Sequence, residues 1–357
     1  MADAPHPAQA GDVFGDADLR VGIVGAGAMG SDHISRLTHT ISGARVSAVI
    51  EPDADRAADA TTAAPGAVAF SRIEDALDAG AVDAVIIATP GRLHERVLLP
   101  ALAAGLPILC EKPLTQDPES SWRVLEAEAQ VGRQLIQVGF MRRFDPEYLQ
   151  LRGLVDNGTY GGLLMLHAVH RNPSSPATGY TQQMLVTDSL THEFDVIPWL
   201  ADSVLTSVQI RSGRRNSRAP EHLNEPVLLL MELANGVLVD VEMNVNAAFG
   251  YQVATEAVFE SGVVRIGQPA GLNVWAGGAY RTLEHQTFST RFHHAYDAQL
   301  RSWVQATRQG RIAGPSAWDG FKVAAACAAG VQAMQNGDVV DVILPEPPSL
   351  YRPATPA

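Results

Sequence analysis

The stretch that decides the fold is residues 19–33, LRVGIVGAGAMGSDH. A short β-branched apolar run passes directly into glycines at positions 25, 27 and 30 and then into a helical segment. Gly25 permits a tight turn, and Gly27 lets the backbone approach a pyrophosphate. Gly30 lets the helix pack closely on the strand with its first amides free for phosphate. A G-x-G-x-x-G spacing alone also marks ordinary glycine-rich loops. Here it sits between a strand and a helix, and a second strand ends in Glu51, roughly 20 residues further on. A carboxylate there accepts from adenosine ribose hydroxyls and repels a 2′-phosphate, so the spacing predicts NAD over NADP. Asp53 or Asp55 offers the same chemistry nearby, and a surface acid in a loop is the plainer reading of Glu51.

Outward from this turn, strand-like runs at 45–50, 82–88, 107–110 and 134–138, with a weak one at 68–70, alternate with helical stretches near 28–38, 53–62, 92–104 and 118–131. Near-continuous apolar strands separated by helices predict a parallel sheet covered on both faces. This α/β, dinucleotide-binding domain is expected over residues 19–140. Residues 1–18, rich in Ala, Pro, Gly and Asp, read as a disordered tail without the basic start and apolar run of a secretory signal. Residues 341–357, with five prolines, read as an irregular tail.

The chain has 357 residues with 26 Lys+Arg against 39 Asp+Glu, a formal charge of −13. That balance argues against a nucleic-acid partner, and the basic run 211–218 reads as a solvated loop. No apolar run is long enough to span a membrane. Two cysteines, Cys110 and Cys327, sit in apolar runs without metal-type spacing, so buried thiols and no metal are expected, in a cytoplasmic protein. His293-His294 reads as helix surface.

Two strand ends should lie at the carboxyl edge of the first sheet, where open α/β sheets bind ligands. One is Thr89-Pro90; the other is Glu111-Lys112-Pro113. A lysine there can meet a nicotinamide and a substrate hydroxyl, although lysines are mostly surface residues. Further on, Asp188 and His192 share one helix face by their spacing of four. A histidine suits the removal of a hydroxyl proton, and a neighbouring carboxylate can orient it. The same spacing also fits a helix-capping acid and a core histidine.

AGAMG (26–30), ATP (88–90), EKP (111–113) and GFMRRFDP (139–146) together resemble the Gfo/Idh/MocA oxidoreductases, and within them the inositol 2-dehydrogenases. HRNP (170–173), TDSLTHEFDVIPWL (187–200), FGY (249–251) and GPSAWDG (314–320) extend the resemblance over roughly residues 20–335. It implies a Rossmann domain followed, over 141–340, by an α+β domain on a large, mostly antiparallel open sheet. The last helices would pack back on the first domain, and the sheet would pair subunits into a dimer or tetramer. Independently, 227–233 and 237–245 alternate across Asn235-Gly236, a hairpin signal, as do 254–260 and 263–266 across Ser261-Gly262. Helical stretches are expected near 291–309 and 316–335.

The resemblance implies Lys112, Asp188 and His192 as catalytic residues, with His192 the general base and Asp188 its partner. It implies that Met141, Arg142, His170, Asn172, Ser189 and Tyr251 line a neutral polyol, and that His94 stands near the nicotinamide. With Gly25, Ala26, Gly27, Met29, Gly30, Glu51, Thr89, Pro90, Glu111 and Lys112, His94 completes the expected NAD contacts. The expected reaction is NAD-dependent oxidation of myo-inositol to its 2-keto derivative. Other cyclitols or pyranoses (scyllo-inositol, glucose, an anhydrosugar such as levoglucosan) and a non-catalytic NAD-binding regulator are the alternatives. Ser189 and Phe249 depart from one well-known inositol dehydrogenase pattern, which leaves the choice of polyol open.

Overall fold

A computed structural model describes residues 17–175, 179–267 and 273–352, together with residues 12, 14 and 15. Its first half builds β1 (Leu19–Val24), α1 (Ala28–His39), β2 (Ala44–Ile50), α2 (Ala54–Ala63), β3 (Val68–Phe70), α3 (Ile73–Asp78), β4 (Ala84–Ile87), α4 (His94–Ala103), β5 (Ile108–Cys110), α5 (Pro118–Val131) and β6 (Ile136–Val138). The six strands pair in parallel in the order 3-2-1-4-5-6. Every residue of β4, β5 and β6 is buried, as strands covered on both faces require. The order reverses between β1 and β4, and the crevice at that switch point receives the glycine turn. The helix α3 was not legible, since six residues are too few to show a period.

The second half contains a 3₁₀ turn (Met141–Phe144), α6 (Pro146–Asp156), β7 (Leu163–Arg171), a π turn (Leu185–Ser189), α7 (Thr191–Leu200), β8 (Leu205–Ser212), β9 (Val227–Leu233), β10 (Leu238–Asn244), β11 (Gln252–Phe259), β12 (Val263–Ile266), the hairpin β13 (Asn273–Ala276) and β14 (Ala279–Thr282), α8 (Phe288–Arg291), α9 (His293–Arg308), α10 (Ala317–Asn336) and β15 (Val340–Asp341). Seven strands form one sheet in the order 12-11-7-10-9-8-15. Only β7 with β10 is parallel among its pairs, so the sheet is mostly antiparallel, as expected. β9 and β10 meet around Asn235-Gly236, with Gly236 at a φ of 84°. Strict alternation along β11 buries Val253, Thr255, Ala257 and Phe259 on the inner face.

The last long helices return to the first sheet. Leu300, Trp303 and Val304 of α9 join a core with Leu19, Ile34 and Leu37. α10 packs on α5 and α7 as well as on β8. Ser316 caps α10 through a capping box with Asp319.

The expectation of a disordered tail before residue 19 needs correction where residues are described. Arg308, in the last turn of α9, binds the Asp12 carboxylate at 2.9 Å and the Ala17 carbonyl at 2.7 Å, and Phe14 packs on the same core. One arginine collecting several acceptors fixes this stretch, and the distance along the chain hides that from sequence. Residues 1–11, 13 and 16 lie outside the described residues, as do 353–357. At the other end, β15 pairs with β8 and Val342 is buried. The Tyr351 phenol donates to Glu128, whose carboxylate also accepts from the Ile136 amide at 2.7 Å. The stretch after β15 is irregular and still anchored.

Candidate active site

The glycine turn is shaped by close approach. Gly25 has a φ of 93°, and a Cβ there would lie 2.9 Å from the Thr89 nitrogen. A Cβ on Gly30 would lie 1.9 Å from the Gly25 carbonyl oxygen. Around Gly27, by contrast, a Cβ would meet nothing within 4 Å, and α1 begins there with no side-chain cap. The first amides of α1 therefore stand free above an open cradle, which fits a dinucleotide pyrophosphate.

Glu51 braces this turn. One oxygen accepts from the Ala26 amide at 3.0 Å; the other accepts from the Asp53 amide at 3.0 Å and from Arg56 at 2.8 Å. Burial works to raise its pKa, but Arg56 and the two amides outweigh it and hold the carboxyl below its ordinary value. The lowered pKa favours its ionised form at the end of β2. Thr89 helps line a neighbouring cleft of about 570 Å³ with Ser71, Arg72 and Arg96, which sequence reading missed. Those residues follow β3 or sit on α4, and no motif flags them. Pro90 precedes the short turn Gly91–Leu93 and is exposed.

His94 does not face a cofactor. It is fully buried, with Nδ1 2.7 Å from the Pro113 carbonyl and Nε2 2.7 Å from the Thr89 carbonyl. Each ring nitrogen lies against a backbone carbonyl, and the one N–H of the neutral ring donates to one of them, which places the residue between the ends of β4 and β5. Burial lowers its pKa.

A second cavity, of about 270 Å³, opens between the two sheets. Met29 and Glu111 form its wall toward the glycine turn; Lys112, Met141, His170, Asn172, Asp188, Ser189, His192 and Tyr251 complete the set expected from sequence, except for Arg142. Glu111 is held by His33 of α1, whose Nε2 lies 2.8 Å from its Oε1. Lys112 Nζ donates to Asp188 Oδ1 at 2.8 Å and to the Asp188 carbonyl at 3.1 Å.

That ion pair corrects the expected Asp188–His192 partnership. The π turn that carries Asp188 is wider than an α turn, which breaks the spacing of four, and the carboxylate pairs with the ammonium instead. His192 is left with a buried Nδ1 that has no partner. Burial, then the charges of Arg142 and Lys112, push its pKa well below the ordinary 6.5. The imidazole is therefore in its neutral form at neutral pH, with a lone pair available to accept a proton.

Arg142 is a second correction. It is 1% exposed and lies behind the wall, where its guanidinium pairs with Glu193 and approaches His170 Nδ1 at 3.2 Å. The Glu193 carboxylate and its place in the 3₁₀ turn keep it out of the cavity. Glu193, next to His192 in sequence, was missed, as were Tyr180, Phe288 and Tyr296 on the cavity wall. Tyr180 donates or accepts at Ser189 Oγ over 2.7 Å. Asn172 presents a buried Oδ1 without a partner, and burial pushes the Tyr251 phenol up to about 12.

The cavity thus offers donors and acceptors with one lysine–carboxylate pair, a lining suited to a small neutral polyhydroxylated ring. Among the described residues no cluster of three His, Cys, Asp or Glu could hold a metal, and no helix is long and apolar enough to cross a membrane. Both cysteines are free and buried, and His293 and His294 are exposed.

Residues 19–140 match a family model described as "Oxidoreductase family, NAD-binding Rossmann fold", and residues 148–265 match the "GFO/IDH/MocA C-terminal domain". The chain is 60% identical over 335 residues to an inositol 2-dehydrogenase of Leifsonia xyli subsp. xyli, covering 94% of this chain and 98% of the relative. An inositol 2-dehydrogenase of Corynebacterium glutamicum is 60% identical over 92% of this chain and 98% of its own length. Among solved structures, myo-inositol dehydrogenase from Lactobacillus casei in complex with NAD(H) and myo-inositol superposes with a TM-score of 0.91 at 31% identity, covering 94% of this chain and all of that one. The apo scyllo-inositol dehydrogenase of the same organism gives 0.85 at 27% identity, over 91% of this chain and 98% of that one.

Proposed function

The chain belongs to the Gfo/Idh/MocA family of NAD-binding oxidoreductases, and from that premise we propose that it oxidises a cyclic polyol, myo-inositol to 2-keto-myo-inositol (scyllo-inosose). The observation that carries this reading is one cavity shared by Lys112, His192 and Asn172, whose wall at Met29 and Glu111 adjoins the glycine turn. NAD, when bound, supplies the hydride acceptor at nicotinamide C4. Its pyrophosphate would rest on the α1 amides at Gly27 and its ribose beside Glu51.

His192, neutral at working pH, takes the hydroxyl proton as the C–H bond breaks. Lys112 donates a hydrogen bond to the same oxygen and stabilises its developing negative charge. Asp188 fixes the ammonium through the 2.8 Å ion pair. Met141, His170, Asn172, Ser189 and Tyr251 bound the ring. In ketone reduction His192 returns the proton.

NADH formation at 340 nm with a panel of inositols, aldoses and anhydrosugars tests the reading. Turnover fastest with myo-inositol supports it; NAD binding without turnover of any of them overturns it in favour of a regulator. We also infer a dimer or tetramer paired through the outer face of the seven-stranded sheet, where Leu228 and Leu238 are exposed. A monomer by light scattering at micromolar concentration counts against this. A cytoplasmic location is supported by the demand for NAD and by two unpaired cysteines.

A further inference from the structure

Behind the cavity wall, Arg142, His170 and Glu193 are 1, 3 and 2% exposed. They come from the 3₁₀ turn, β7 and α7, three separate parts of the second domain. The Glu193 carboxylate pairs with Arg142, and its two oxygens lie 3.0 and 3.1 Å from His170 Nδ1. Nδ1 faces both carboxylate oxygens and, at 3.2 Å, one Arg142 nitrogen. An unprotonated Nδ1 would accept from that guanidinium but aim its lone pair at two anionic oxygens, whereas an N–H donates to the carboxylate at 3.1 Å. The neutral ring then keeps its lone pair on Nε2, the opposite edge, and His170 is one of the residues lining the cavity. His192, 6.4 Å away between ring centroids, has no carboxylate on its buried Nδ1.

We propose that Glu193 is a positioning residue: it holds the His170 proton on Nδ1, so that Nε2 accepts from a second substrate hydroxyl, while it balances the buried charge of Arg142. The proposal rests on reading the cavity as the polyol site, and it narrows the substrate class. With His192 and His170 both acting as acceptors, the substrate must bring two O–H donors to them, one at the oxidised carbon and one elsewhere on the ring. A deoxy or O-methyl analogue lacking the second donor leaves a buried acceptor unpaired and is rejected.

The test separates the acceptor from the charge. Both double variants, Arg142→Met with Glu193→Gln and Arg142→Met with Glu193→Leu, remove the ion pair as a unit, but only the first keeps an oxygen for His170 Nδ1–H. Three readouts apply: ¹⁵N chemical shifts of the His170 imidazole, NAD affinity by fluorescence, and KM and kcat with myo-inositol. The expected result is an Nδ1–H tautomer in the wild type and the Gln variant, lost in the Leu variant. KM should be at least tenfold higher with Leu than with Gln, kcat should change less, and NAD affinity should stay within twofold. An Nε2–H tautomer in the wild type, or equal KM values in the two variants, overturns the proposal. If a double variant does not fold, the tautomer in the wild type and in Glu193→Gln alone decides. A wild type that turns over no polyol defeats the functional reading, while the ¹⁵N measurement still judges the tautomer.

Discussion

Lys112 reaches its place because Asp188 holds it there, and this rearranges the roles that the motifs suggest. In the proposed mechanism the lysine is the positioned hydrogen-bond donor, and no carboxylate braces the histidine. Lys112→Ala and His192→Ala should each lower kcat by roughly two or more orders of magnitude, measured as NADH formation at saturating NAD and myo-inositol. Near-wild-type turnover in either would remove that residue from the chemistry. The pH dependence follows from the sign of the His192 shift. In the proposed mechanism the base form is required, and burial with the Arg142 and Lys112 charges facing it holds the pKa well below 6.5. kcat/KM should therefore stay level as pH falls through 6.5 and drop only at more acid values. An acid limb centred at or above 6.5 would contradict the neutral, cation-flanked imidazole. The residue types at this site were legible from short motifs; their pairings were not, because a π turn and an ammonium two strands away set them.

At the scale of elements, the turn from β1 into α1 separates binding from packing. Gly27 and Gly30 belong to one motif but face different surroundings. A Cβ at Gly27 meets open space, while one at Gly30 runs into the Gly25 carbonyl. Gly27→Ala should leave the thermal midpoint within a few degrees and weaken NAD binding tenfold or more. Gly30→Ala should lower the midpoint clearly, because turn and helix must move apart. Equal loss of stability in both variants would mean that Gly27 is also packed. In the capping box of α10, Ser316→Ala should cost about 1 kcal/mol in urea unfolding, since the Ser316 hydroxyl and the Asp319 carboxylate hold the helix start reciprocally. The six parallel strands were readable because buried β-branched runs flanked by helices have no close competitor. β7 was not singled out, although it is a central strand and carries His170; its run LLMLHAVHR is rich in Leu, Met and Ala, which suit a helix as well as a strand.

Across the whole molecule, the larger hydrophobic core runs without interruption from Val85 and Ile108 of the first sheet to Val239 and Val253 of the second. The returning helices α9 and α10 join the two sheets from behind. Thermal unfolding followed by far-ultraviolet and near-ultraviolet circular dichroism should show one coincident transition. Two separated transitions would mean that the domains fold independently despite the shared core. Beyond the core, Arg308 binds Asp12 and the Ala17 carbonyl, and Tyr351 reaches back to Glu128.

Local order along the chain was enough to determine the parallel first sheet, the glycine cradle with its acid at Glu51, the hairpins of the second sheet and the residue types of the site. Each rests on spacing within a few dozen residues, and backbone geometry translates such spacing directly into shape. Tertiary structure alone decided that Lys112 pairs with Asp188, that His94 lies against two carbonyls, and that Arg142 sits behind the wall with Glu193 and His170. Those outcomes depend on which charges and acceptors meet when separate elements pack. Desolvation then forces each buried group to find its partner, however far away in sequence that partner lies.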